Sequence, residues 1–178
     1  NFIKKNLNLK KNNIADLGSG NGNFLFHLKK KVPFQNYFGF EYSRQMLNKC
    51  KSQEYLKEIN FNEINIIKKP IRPNMDIIVS TAVTYQFKES EFIKCMKNIY
   101  KSLKKNGTYI GYELVNEFSQ ELTIIEKTDL YKTGIPLHIR SKNYLKKILI
   151  KIGFKEINFN FFNIRIDLES KKNISKMS

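Results

Sequence analysis

Cysteine, arginine, alanine and long hydrophobic runs are scarce in this 178-residue chain, and each scarcity removes a class of protein. Cys50 and Cys95 stand far apart, with no CxxC spacing and no histidine neighbours, which excludes a zinc site and a disulfide scaffold; metal ligands are not expected. Two buried thiols in a reducing cytoplasm is the expectation. The apolar runs are only a few residues long, so no segment is long enough to span a bilayer. The first residues also lack the basic, apolar and small-residue succession of a signal peptide. A cytoplasmic protein without a membrane partner is therefore expected. The chain opens on Asn1 rather than Met, which reads as a fragment.

Charge is the one extreme. Lys plus Arg total 32 against 16 Asp plus Glu, a formal net charge of +16. Such an excess ordinarily points to nucleic acid. Arginine, whose planar fork reads bases and phosphates, occurs only at Arg44, Arg72, Arg140 and Arg165, and alanine only at Ala15 and Ala82. Abundant Lys, Asn and Ile with little Ala and Arg is the mark of an AT-rich coding sequence, so the charge argues only weakly for a nucleic-acid partner.

With 41% hydrophobic and 27% charged residues, the chain can fill one core. A single domain over 1–169 with a polar, frayed tail at 170–178 is expected. β-rich runs lie at 13–17, 37–41, 64–67, 76–80 and 108–114, mostly near-continuous apolar stretches of the kind buried on both faces of a sheet. Helical patterns fall between them. The clearest is 89–103, with Phe92, Ile93, Met96, Ile99, Tyr100 and Leu103 on one stripe and Asn106-Gly107 as its stop. Another starts at the N-cap Ser141, aligns Tyr144, Leu145, Ile148, Leu149 and Ile152, and ends at Gly153. Weaker helices are predicted at 23–30 and 43–51. Alternating strand and helix implies parallel pairing with right-handed crossovers. The runs 154–160 and 163–168 are too close for a crossover helix and imply a hairpin. The expected fold is α/β: a doubly wound, seven-stranded, mostly parallel sheet with a C-terminal antiparallel hairpin and helices on both faces.

Ligands of such sheets bind beyond the carboxyl ends of the strands. The first of these turns reads Asp16-Leu17-Gly18-Ser19-Gly20-Asn21-Gly22. Three alternating glycines in a chain with only 8 allow a tight turn and close approach to a ligand at a helix N-terminus. A dinucleotide fingerprint needs a third glycine where Asn23 stands, and the phosphate-loop pattern lacks its Gly-Lys-Ser/Thr. Glu41, about 20 residues after the turn, is placed to accept ribose hydroxyls, a feature of dinucleotide and other nucleoside sites alike.

The Asp-x-Gly-x-Gly-x-Gly turn resembles the first motif of the class I S-adenosylmethionine (SAM) dependent methyltransferases. Met75 to Phe87 is similar to the fourth motif of that family, and its Gln86-Phe87 ending resembles the Gln-Trp of small-molecule carboxylate methyltransferases such as those acting on malonyl-carrier protein and trans-aconitate. The Asn/Asp-Pro-Pro-Tyr/Phe element of enzymes that modify base or amide nitrogens is missing. Leu103 to Gly107 matches the family's turn before the fifth strand, and the likeness covers 14–168. It implies SAM as cofactor and S-adenosylhomocysteine as product. Gly18, Ser19 and Gly20 would shape the turn under the methionine part, with helix N–H groups facing its carboxylate. Asp16 would lie towards the amino group, Glu41 would hold the ribose, and Tyr42 would flank the adenine. The acid that many relatives carry after the third strand is replaced by Lys68-Lys69-Pro70-Ile71, leaving backbone near Pro70 and Ile71 for the adenine. Ser80 and Thr81 would border the transferring methyl.

Methyl transfer is an in-line displacement whose main demands are alignment and exclusion of water. A hydroxyl acceptor benefits from a base of near-neutral pKa, and His138, in a loop on the substrate side, is the candidate; a carboxylate acceptor needs none. His27 reads as structural. Tyr85 can line the acceptor pocket or face the sulfonium by cation–π attraction. The segment 116–140, with Tyr131, His138 and Arg140, is expected to shape the substrate site. The expected activity is methyl transfer to an oxygen or nitrogen of a small metabolite, sugar or carrier-bound acid. The alternatives are an RNA methyltransferase and a noncatalytic partner subunit of the same fold.

Overall fold

A computed structural model describes Ile3, residues 11–129 and residues 132–161. Five strands form one parallel sheet: β1 (Asn13–Leu17), β2 (Asn36–Glu41), β3 (Asn60–Glu63), β4 (Met75–Thr81) and β5 (Leu103–Tyr112), in the order β3-β2-β1-β4-β5. The order reverses between β1 and β4, which makes the carboxyl end of β1 the crevice-forming point of the sheet.

Alternation along the central strands sorts the core into two layers. Ile14, Ile77 and Val79 face α1 (Asn23–Lys31) and α2 (Arg44–Lys51), where Leu25, Leu28, Leu47 and Cys50 meet them. Ala15, Leu17 and Ile78 face α3 (Glu89–Ser102), which supplies Phe92, Cys95, Met96 and Ile99; α4 (Lys142–Ile152) adds Tyr144, Leu145, Ile148, Leu149 and Ile152 to that layer. Helix starts follow the sequence. The Ser43 hydroxyl accepts from the Met46 N–H at 3.4 Å and the Ser141 hydroxyl from the Tyr144 N–H at 3.1 Å. Gly153 ends α4 at φ +119°, the left-handed conformation of a glycine stop.

The doubly wound architecture is the expected one, and three details differ. First, α3 ends at Ser102 and Leu103 is already extended, so Asn106-Gly107 lies inside β5 rather than at a helix stop. Second, β3 occupies the polar run Asn60–Glu63 instead of 64–67. At the edge of a sheet only Phe61 has to be buried, while Ile64 and Ile66 fold back beyond the strand to cover the α3 layer. Third, the sheet has five strands among the described residues. A separate three-stranded sheet, β6-β8-β7, is made by β6 (Val115–Asn116), β7 (Leu122–Glu126) and β8 (Ile135–Ser141), with β7 and β8 antiparallel. No strand forms over 154–160; the predicted partner 163–168, the tail 170–178 and Tyr131 lie outside the described residues.

Candidate active site

Register places the strand ends in one line. Leu17 pairs with Phe40 and Ser80, Glu41 with Glu63, and Thr81 with Tyr112, so the segments after β1, β2, β3, β4 and β5 share one edge. Asp16, the Gly18–Gly22 turn and Glu41 meet there.

The turn is tight for a stated reason. Gly18, Gly20 and Gly22 all have positive φ, and a methyl group added at Gly18 would lie 2.5 Å from Val83 Cγ2. Four of its amides are satisfied internally. The N–H groups of Gly18 and Ser19 both donate to Phe40 O, at 2.7 and 3.1 Å, and Gly22 N–H donates to Ser19 O at 2.8 Å. Gly20 N–H donates to Glu41 Oε2 at 2.9 Å, and Asn23 N–H to Asn21 Oδ1 at 3.2 Å. The N–H groups expected to face a carboxylate are those opening α1, whose cap residue Gly22 supplies no side-chain hydrogen bond. The buried Ser19 hydroxyl, which has no hydrogen-bond partner among the described residues, is the polar group left over.

Glu41 also accepts from Tyr42 N–H at 2.8 Å and Ser43 N–H at 2.9 Å, both on Oε1. A carboxylate has about four acceptor sites, so Oε2, with one amide, keeps a lone pair for another donor. Tyr42 is exposed beside it. Asp16 is buried, and among the described residues no hydrogen bond or ion pair reaches its carboxylate. Burial, with the Glu41 charge adding to it, pushes Asp16 up to about 7. A buried carboxylate in that position is stabilised by an arriving cation.

Ile71 belongs elsewhere. It is fully buried, and its N–H donates at 2.7 Å to the hydroxyl of Ser102, which immediately precedes β5. That is the amino-terminal end of the sheet. The early end of β3 instead puts Glu63, Ile64 and Asn65 at the carboxyl edge, with Asn65 Oδ1 accepting from Ile67 N–H at 3.1 Å. The misplaced strand hid these residues in the sequence.

Beyond β4 the site is held by side chains. Thr81 is exposed at the strand end, but Ser80 is fully buried. Its hydroxyl lies 2.7 Å from Tyr109 Oη and donates to Glu113 Oε1 at 3.1 Å, so it braces the loop from beneath rather than lining the crevice. Glu113, just after β5, also accepts from the N–H groups of Val83, Thr84 and Tyr85. Burial pushes its carboxyl up, and these donors pull it back. Tyr85 sits in the short 3-10 turn Thr84–Gln86. Arg140, on β8, donates to Thr84 O at 3.2 Å and to Phe87 O. Its guanidinium lies 4.2 Å from the Phe92 ring centroid. Glu113 was not singled out in the sequence, where it fell inside the expected strand 108–114; an acid within an otherwise apolar strand was the available signal.

His138 is on β8 rather than in a loop, paired across the ladder with Thr123, whose Oγ1 is 3.2 Å from Nδ1. Its buried Nε2 has no partner among the described residues. Residues two apart on a strand share a face, so His138 lies on the Arg140 side of β8, towards the Thr84–Gln86 turn. His27 is exposed on α1, edge-on to Phe26.

Residues 8–153 match the family described as methyltransferase domain. Carboxy-S-adenosyl-L-methionine synthase of Nautilia profundicola is 26% identical over 142 residues, covering 73% of this chain and 60% of the relative. The tRNA U34 carboxymethyltransferase of Sulfurimonas denitrificans is 23% identical over 161 residues, covering 86% and 52%. The chain thus spans little more than half the length of these curated relatives. Among solved structures, human N-acetylserotonin methyltransferase in complex with SAM superposes with a TM-score of 0.67 at 18% identity, over 84% of this chain and 44% of that one. The chain belongs to the methyltransferase domain family, in its class I, SAM-dependent branch.

Proposed function

We propose that this chain binds SAM across the ends of β1 and β2 and transfers a methyl group to a small-molecule acceptor presented beyond β4. The observation that carries the reading is the meeting of three features on one edge: the buried carboxylate of Asp16, the glycine turn and Glu41. The cofactor's parts suit what is there. A primary ammonium suits Asp16, which no other cation reaches among the described residues; ribose hydroxyls suit the remaining lone pair of Glu41; and the hydroxyl of Ser19 is a donor without a partner. Asn65, at the end of β3, takes the adenine-facing place first given to Ile71.

SAM supplies an electrophilic methyl carbon on a sulfonium. The chain's own residues do the rest: Asp16 and Glu41 orient, Thr81 and Tyr85 border the acceptor, and the second sheet narrows access to water. His138 supplies a base where the acceptor is a hydroxyl. Among the described residues the one arginine at the acceptor turn, Arg140, donates to backbone carbonyls, which favours a plain methyl over a donor bearing a carboxylate on the transferred carbon.

RNA is the second acceptor class, favoured by the net charge of +16 and by the name of the tRNA-acting relative. Tritiated methyl transfer onto small-metabolite and RNA pools tests the assignment. Label in metabolites or carrier-bound acids supports the first reading; label in RNA, with binding that weakens steeply with salt, replaces it by the second. SAM binding without transfer to either pool favours a noncatalytic partner subunit.

A further inference from the structure

We propose that Glu113 and Arg140 are positioning residues for the acceptor side of this site: they grip the Thr84–Gln86 turn at its two ends and so aim Tyr85 at the transferable methyl. The proposal rests on the SAM-dependent reading above.

A short 3-10 turn leaves N–H groups unpaired at its start and carbonyls unpaired at its end. No side chain within the turn caps its start. Glu113 does so from another element: Oε1 accepts from Val83 at 3.3 Å and Thr84 at 3.1 Å, and Oε2 from Thr84 at 3.2 Å and Tyr85 at 3.4 Å. Arg140 serves the carbonyl side: it donates to Phe87 O, just past the turn's end, and to Thr84 O, which also accepts from Phe87 N–H at 3.2 Å, with Glu121 Oε1 3.6 Å from its Nε and Phe92 beneath it. One clamp arm comes from the parallel sheet and the other from the second sheet.

Two further observations set this grip apart from ordinary packing. Ala82, between β4 and the turn, has φ +58°, a left-handed backbone that a non-glycine residue keeps only where its surroundings impose it. Arg140 is 2% exposed. Taking such a charge out of water is costly, and apolar residues of the same volume would fill the space at less cost. What apolar residues cannot do is fix donors and acceptors in direction, which is what aligning an acceptor requires.

The chain contains no tryptophan, so Tyr85→Trp places a lone fluorescent reporter on the turn. Acrylamide quenching reads its mobility. The difference in emission between SAM and S-adenosylhomocysteine, which lacks the sulfonium charge, reads its aim. In this background Arg140→Met is expected to raise the quenching constant at least twofold and abolish the difference between SAM and S-adenosylhomocysteine. SAM affinity by calorimetry should stay within threefold. Arg140→Lys, a point donor without the fork, should restore part of both signals, and Glu113→Gln should retain more than Glu113→Ala. If Arg140→Met does not fold, the Glu113 pair decides. Unchanged quenching and an unchanged emission difference in the folded variants would overturn the proposal. So would a loss of SAM affinity above tenfold, which would make the pair a support of the whole crevice. A reporter chain silent to SAM removes the methyltransferase reading and the aiming role with it, while quenching still shows whether the pair holds the turn.

Discussion

The two flanks of the crevice are held by different means. On the β1–β2 side the backbone is the scaffold: glycines at positive φ pass close to neighbours, and turn amides close on Phe40 O and Glu41. On the β4–β5 side the turn is irregular, and side chains from distant elements, Glu113 and Arg140, supply what the backbone lacks. A backbone scaffold admits few residue types at fixed spacing. A side-chain scaffold can be rebuilt from many. The first flank therefore suits the invariant part of a reaction and the second the part that differs between acceptors.

Substitution on the first flank should be the more damaging. Gly18→Val combines a left-handed backbone with a clash against Val83, at a cost of about 3 kcal/mol in denaturant unfolding, and abolishes SAM binding in calorimetry. Survival of binding would mean that the turn is not the cradle. Glu41→Ala follows, weakening SAM binding by about 1 to 3 kcal/mol through lost charged hydrogen bonds; unchanged affinity removes Glu41 from the ribose role.

A smaller effect, graded by pH, comes from Asp16. Its folded pKa, about 7, exceeds the ordinary carboxylate value, so between about pH 4 and 7 the folded chain holds a proton that the unfolded chain has released. Unliganded stability then falls as pH rises through that window. SAM binding brings a cation to the carboxylate and favours the charged form, so affinity should rise with pH, by up to about tenfold per unit, and level off above 7. Asp16→Asn should flatten both profiles; a pH-independent affinity in the unaltered chain would contradict the pairing. The least effect is expected on the second flank. Ala82→Gly relieves the left-handed strain but adds chain entropy on unfolding, for a net stability change within about 1 kcal/mol. A larger loss would show that the alanine methyl itself packs.

Legibility in the sequence followed the same division. The first strand, the glycine turn and Glu41 were readable because a tight turn demands glycine and a buried parallel strand demands apolar residues. Helix starts at Ser43 and Ser141 were readable because capping is local. The third strand was misplaced because an edge strand tolerates Asn60, Asn62 and Glu63, while the apolar run after it serves a different layer. That error directed the reading to Ile71 rather than to Asn65, the residue proposed above for the adenine side. The second sheet was missed because β7 carries apolar residues on an exposed edge and β8 contains Pro136, although Ile135, Leu137 and Ile139 do alternate. Glu113 and Arg140 meet only through tertiary folding, across 27 residues of chain that no local pattern connects.

The central claim is that the edge formed by Asp16, the glycine turn and Glu41 takes SAM. Parallel calorimetric titrations of the unaltered chain with SAM and with NAD test it most directly. A saturable one-to-one heat for SAM and none for NAD is the predicted result; a silent SAM titration, or heat with NAD alone, would contradict it.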